Sequence, residues 1–153
     1  FQLVGTGRVQ TAEKLARALS QLGRKRALVV CGADQLDEVS LWGNTHVFEV
    51  RGSQVLVAHW NAATFGLPEC RVEDVQIDSV AESAAIIKDI FAGQPGPTRD
   101  IVLANAAAAL VAAERVSEPA EGIPIAAAAI DSGAVQDLLA DLVRLTQSLA
   151  AQP

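Results

Sequence analysis

The sequence predicts an α/β fold: a mostly parallel sheet with an antiparallel edge hairpin, followed by a helical C-terminal third. Three observations carry that reading. An apolar run without alternation, Ala27 to Gly32, follows a helical period and an earlier strand. Two short strands flank Gly52-Ser53, and every apolar period beyond Ala81 is helical.

In chain order, Phe1 to Gly5 reads as a strand already under way at the first residue. No methionine occurs in the 153 residues, so the chain is expected to be a piece of a longer protein. Thr11 to Leu22 places Leu15, Ala18, Leu19 and Leu22 on one helical face, and Gly23 stands where helices commonly end in a left-handed residue. The triplet Arg24-Lys25-Arg26 reads as a solvated connection into the next strand, with a phosphate clamp as its alternative. Ala27-Leu28-Val29-Val30-Cys31-Gly32 has the composition of a strand buried on both faces. Strand, helix and buried strand make a βαβ unit.

His46 to Arg51 and Gln54 to Trp60, joined by Gly52-Ser53, predict the hairpin. Asn61 to Ser79 lacks a clean period, carries Gly66 and Pro68, and reads as a loop. Four helices are expected after it: about Ala81 to Ala92, Thr98 to Glu114, Ala120 to Asp131, and Ala134 to Ala150. The second and third contain Ala106 to Ala109 and Ala126 to Ala129. Small side chains let helix backbones approach closely. Ala107 or Ala108, and Ala127 or Ala128, are therefore expected to be nearly fully buried.

Composition narrows the function. The formal net charge is −6, which leaves no basic surplus for a nucleic-acid backbone. The longest nearly apolar run, Ile101 to Ala113, falls short of the ~20 residues of a membrane span. Two cysteines, Cys31 and Cys70, suit a reducing compartment, and a cytoplasmic protein is expected.

Chemistry is expected in Gly32-Ala33-Asp34-Gln35-Leu36-Asp37-Glu38. Ligands of open α/β sheets bind outside the carboxyl ends of strands, where this segment begins. Its three carboxylates repel one another unless a cation lies between them, and Mg2+ is a hard cation of that kind. The alternative is a solvated polar loop. Gly5-Thr6-Gly7 lacks the lysine of a P-loop and the third glycine of a dinucleotide fingerprint, and reads as an ordinary turn. His46 and His59 are placed at opposite ends of the hairpin, without metal-pair spacing, and Trp42 and Trp60 read as packing residues.

From Val29 to Ser40 the sequence resembles the Asp-Glu motif of the anthranilate phosphoribosyltransferase family, usually Val-Val-His-Gly-x-Asp-Gly-Leu-Asp-Glu. The resemblance continues through Gly43-Asn44-Thr45, Phe65-Gly66-Leu67, Ile86 to Gly93, Arg99 to Leu110, Glu121-Gly122 and Ala129 to Gly133. It implies that residues 1–153 are the C-terminal portion of a phosphoribosyltransferase α/β domain. The N-terminal half, with the phosphate loop and the anthranilate pocket, would lie upstream, and this portion alone is expected to be inactive.

The implied reaction joins phosphoribosyl pyrophosphate and anthranilate, releases pyrophosphate, and serves tryptophan biosynthesis. The resemblance implies that Asp37 and Glu38 hold Mg2+, that the complete enzyme is a homodimer, and that Asp34 shapes the loop. No general base is assigned, since the aromatic amine is already a nucleophile. Gln35 stands where the family usually has Gly, Cys31 where it has His, Ile77-Asp78 where it has Gly-Gly, and Ser83 where it has Asn. These departures leave open a non-catalytic remnant or paralogue. A pyrimidine nucleoside phosphorylase relative is the other alternative.

Overall fold

The computed structural model describes residues 1–150. Four strands form one sheet in the order β1-β2-β3-β4: β1 (Gln2–Gly5), β2 (Arg26–Cys31), β3 (Thr45–Arg51) and β4 (Gln54–Trp60). The α/β class, the hairpin at the edge and the helical C-terminal third stand as expected. The parallel share is smaller than expected. Only β1 and β2 run parallel, and β2 meets β3 antiparallel. A strand buried on both faces says that helices cover the sheet twice; it does not set the direction of the neighbouring strand.

Every residue of β2 is buried. Helix α1 (Val9–Gln21) covers the face made by Ala27, Val29, Cys31, Phe48 and Val50. It does so through Ala12 and Ala16, with Leu19 at the margin, while Leu15 and Leu22 stay exposed. The expected leucine face is thus displaced toward the alanines, whose size lets the helix lie close to the sheet. Arg26 is also not solvated. Its guanidinium sits 2.7 Å from Glu49 on β3, with both side chains largely covered, which makes it a packing element of the sheet rather than a phosphate clamp.

The stretch read as a loop contains a one-turn helix, α2 (Ala62–Phe65). Asn61 caps it: its side chain accepts from Thr64 N–H, and the Thr64 hydroxyl accepts from Asn61 N–H. A single turn is too short to show a period, so the stretch gave no helical signal in sequence. The remaining helices are α3 (Val80–Phe91), α4 (Pro97–Ala112), α5 (Pro119–Asp131) and α6 (Ala134–Ala150). No single helix among the described residues is long and apolar enough to cross a membrane.

Helix α4 lies between the sheet and α5. Its Val111 and Ala112 pack on Leu28, Val30 and Val47, while Ala104, Ala107 and Ala108 pack on Val39, Leu41, Ala62 and Phe65. A Cβ added at Gly122 on α5 would come within 2.8 Å of the Ala107 Cα and Cβ, so the two helices touch backbone to side chain. The expectation for α4 holds, because Ala107 and Ala108 are fully buried. For α5 it fails: Ala127 is half-buried, Ala128 is exposed, and Ala126 is the buried member. Helix α5 buries the single stripe Pro119, Gly122, Ala126 and Ile130. One buried stripe needs small residues on one side only.

Candidate active site

Strand β2 delivers the chain to Gly32, whose N–H donates to the Leu36 carbonyl at 2.8 Å, and Leu36 N–H donates to the Ala33 carbonyl. The turn so closed carries two consecutive left-handed residues, Asp34 (φ 54°) and Gln35 (φ 63°). Gln35 therefore occupies a conformation that favours glycine, as its place in the motif suggested. Asp34 is steadied by the Trp42 indole N–H, which donates to its Oδ2 at 3.1 Å. Trp42 thus supports the loop, a role beyond packing. We expect Gln35→Gly to stabilise the protein by about 0.5–1 kcal/mol, relief of the left-handed strain exceeding the added freedom of the unfolded chain. A urea midpoint that rises at unchanged slope is the expected result, and a fall would contradict it.

The chain then returns across the carboxyl ends of the parallel pair. A Cβ at Gly5, the last residue of β1, would lie 1.4 Å from the Asp37 carbonyl oxygen. A Cβ at Gly32 would lie 2.5 Å from the Glu38 carbonyl oxygen. Both strand ends must be bare backbone for the Asp37-Glu38 segment to cross them. Gly7 adds to this, since its Cβ would meet the Gln35 carbonyl oxygen at 3.1 Å. The Gly5-Thr6-Gly7 turn is thus neither a phosphate loop nor an indifferent connection: it is the platform of the acidic loop.

Beyond Glu38 the loop is anchored from three sides. Asn105 on α4 accepts from Val39 N–H at 2.8 Å and donates to the Val39 and Ile101 carbonyls at 3.1 and 3.0 Å. The buried Ser40 hydroxyl accepts from Ala33 N–H and donates to the Gly43 carbonyl. Ser40 N–H donates to the buried Thr45 hydroxyl at 3.0 Å. Each such bond contributes about 1 kcal/mol net, and leaving one buried partner unsatisfied costs more. Asn105, Ser40 and Thr45 are site residues that sequence reasoning missed. The Gly43-Asn44-Thr45 match was the available signal for Thr45, whereas nothing local marks Asn105 as reaching a loop 66 residues away.

With its backbone held, the loop leaves Asp37 and Glu38 exposed at the rim of a cleft of about 540 Å³, lined also by Asp34, Trp42, Val72 and Ile101. That volume suits a small molecule. Among the described residues no group of three or more His, Cys, Asp or Glu side chains forms a ready-made metal site. The two carboxylates are hard oxygen donors in an open setting. They fit Mg2+, which takes one or two carboxylates and fills its shell with waters and substrate phosphates.

The histidines lie elsewhere, and not as expected. His46 and His59 are register partners on β3 and β4, their nearest ring nitrogens 3.1 Å apart. A two-residue turn pairs positions counted outward equally from it, so this neighbourhood was legible from the hairpin itself.

A parallel strand pair whose carboxyl ends carry an acidic loop over a cleft is the layout of a ligand-binding α/β domain. Residues 1–136 match the glycosyl transferase family, a/b domain, and the chain belongs to that family. Its relatives are more specific. The anthranilate phosphoribosyltransferase of Geotalea uraniireducens (strain Rf4) is 43% identical over 145 residues, covering 95% of this chain and 41% of that enzyme. The crystal structure of anthranilate phosphoribosyltransferase from Thermus thermophilus is similar with a TM-score of 0.80 at 27% identity, covering 92% of this chain and 41% of that one. A Saccharomyces cerevisiae anthranilate phosphoribosyltransferase variant with Mg bound is similar with a TM-score of 0.77 at 25% identity, covering 86% and 39%. The chain therefore spans less than half the length of the relatives it matches.

Proposed function

We propose that this chain is the C-terminal portion of the α/β domain of an anthranilate phosphoribosyltransferase. The complete protein would transfer the phosphoribosyl group of phosphoribosyl pyrophosphate to anthranilate, in the cytoplasm and as a homodimer. One observation supports this reading above the others: the Asp37-Glu38 segment crosses the carboxyl ends of β1 and β2 with its carboxylates exposed at a cleft.

In this reading Asp37 and Glu38 hold Mg2+ directly or through waters. The ion, when bound, neutralises charge growing on the departing pyrophosphate. Asp34 shapes the turn, its carboxylate engaged by Trp42. Trp42, Val72 and Ile101 give the cleft an apolar wall beside the carboxylates. The phosphate loop and the anthranilate pocket are contributed by the part of the protein upstream.

The test is the double variant Asp37→Asn with Glu38→Gln in the complete protein. These isosteric changes remove charge and leave the backbone anchors intact. Turnover is expected to fall about tenfold or more at limiting Mg2+, a loss of roughly 1.4 kcal/mol in transition-state stabilisation, and to recover in part at saturating Mg2+. Equal losses at both concentrations would show that the pair does not hold the ion.

A further inference from the structure

The histidine pair on the hairpin is untouched by the proposed reaction. His46 sits on β3, which has a strand on each side, and His59 on β4 at the sheet edge. As direct register partners they project from the same face of the sheet. Their rings meet edge to face with centroids 4.7 Å apart, and His59 Nε2 lies 3.1 Å from His46 Nδ1. One hydrogen bond joins them, so one nitrogen donates and the other offers a lone pair.

We propose that His46 and His59 form a chelating site for a transition-metal ion of the Zn2+, Ni2+ or Cu2+ class, separate from the carboxylate loop. Two nitrogens bound to one such ion at about 2.0–2.1 Å, with an angle between a right angle and tetrahedral, lie roughly 2.9–3.4 Å apart. The observed separation falls inside that span. Paired strands hold both backbones in place, so binding needs only that the rings turn and that the donating ring carry its proton on its other nitrogen, which leaves a lone pair on each facing nitrogen. Imidazole suits these ions, whereas Mg2+ prefers the oxygen donors of the acidic loop.

The site takes two protein ligands. Cys31 occupies the same cross-strand row on β2, opposite His46. It is buried, its thiol faces the Gly32 carbonyl, and burial pushes its pKa up, so it is held as a thiol rather than a thiolate ligand. Water completes the shell, and it has access because His59 is exposed and His46 half-buried.

Isothermal titration calorimetry of the complete, untagged protein with Ni2+, and separately with Zn2+, tests the assignment. One ion per chain is expected at this site. His46→Asn and His59→Asn are each expected to weaken that binding about tenfold or more, and Asp37→Asn with Glu38→Gln to leave it unchanged. Because His59 is exposed, its variant should fold normally. Ni2+ should then raise the thermal midpoint of the parent and not that of His59→Asn, since an ion bound only by the folded state stabilises it. Parent binding no tighter than that of His59→Asn would overturn the proposal. So would binding abolished by the carboxylate variant and retained by the histidine variants, which would place the ion in the acidic loop.

Discussion

Replacing Gly5 by alanine is expected to destabilise the protein by about 3 kcal/mol or more and to displace the Asp37-Glu38 segment. The added Cβ would fall 1.4 Å from the Asp37 carbonyl oxygen and 2.4 Å from its carbonyl carbon. Neither is the end of a flexible side chain, so β1 or the acidic loop must shift as backbone. Overpacking ordinarily costs roughly 1–3 kcal/mol, and a clash with main chain belongs at or above the top of that range. The loop cannot yield freely, because Asn105 grips the next residue but one, Val39, through both its N–H and its carbonyl. Gly7→Ala is the internal comparison: its Cβ would meet the Gln35 carbonyl oxygen at 3.1 Å, a contact relieved by a few tenths of an ångström, and it should cost about 1 kcal/mol or less. Urea midpoints of the two variants measure the difference. Equal shifts would mean that the approach of the acidic loop to β1 is not what requires glycine at position 5.

The second large effect concerns the alanine runs. Ala108→Leu is expected to cost about 2–3 kcal/mol, since Ala108 is fully buried on α4, which has the sheet on one side and α5 on the other. Ala128→Leu on α5 should change stability by only a few tenths, because Ala128 is exposed and leucine is nearly as good a helix former. Were alanine present merely for helix propensity, both variants would behave like the second. Denaturant midpoints at unchanged slope distinguish the accounts.

Much of this architecture was legible one segment at a time. The helices announce themselves by period, with Gly23 and Gly93 just past the ends of two of them. The hairpin follows from Gly52-Ser53, and the acidic loop from its place behind a buried strand. These are local signals, read from residues within a few positions of one another. The direction of β3 beside β2, the alanine rather than leucine face of α1, and the short helix α2 were not legible in that way. A single helical turn has no period, and a leucine on an amphipathic helix does not say which of several neighbours will cover it.

What the sequence by itself determined was the kind of each element, the α/β class, and the acidic loop as the place for chemistry. Hydrophobic period, turn residues and motif spacing are all properties of short stretches of chain. Only the tertiary structure decided that Gly5 and Gly32 lie beneath Asp37 and Glu38, that Asn105 clamps Val39, and that α4 buries its alanines on two sides while α5 buries one stripe. The reason is physical. A residue type carries its own size, shape and hydrogen-bonding capacity, but the number and nearness of its neighbours arise only when distant segments pack against it.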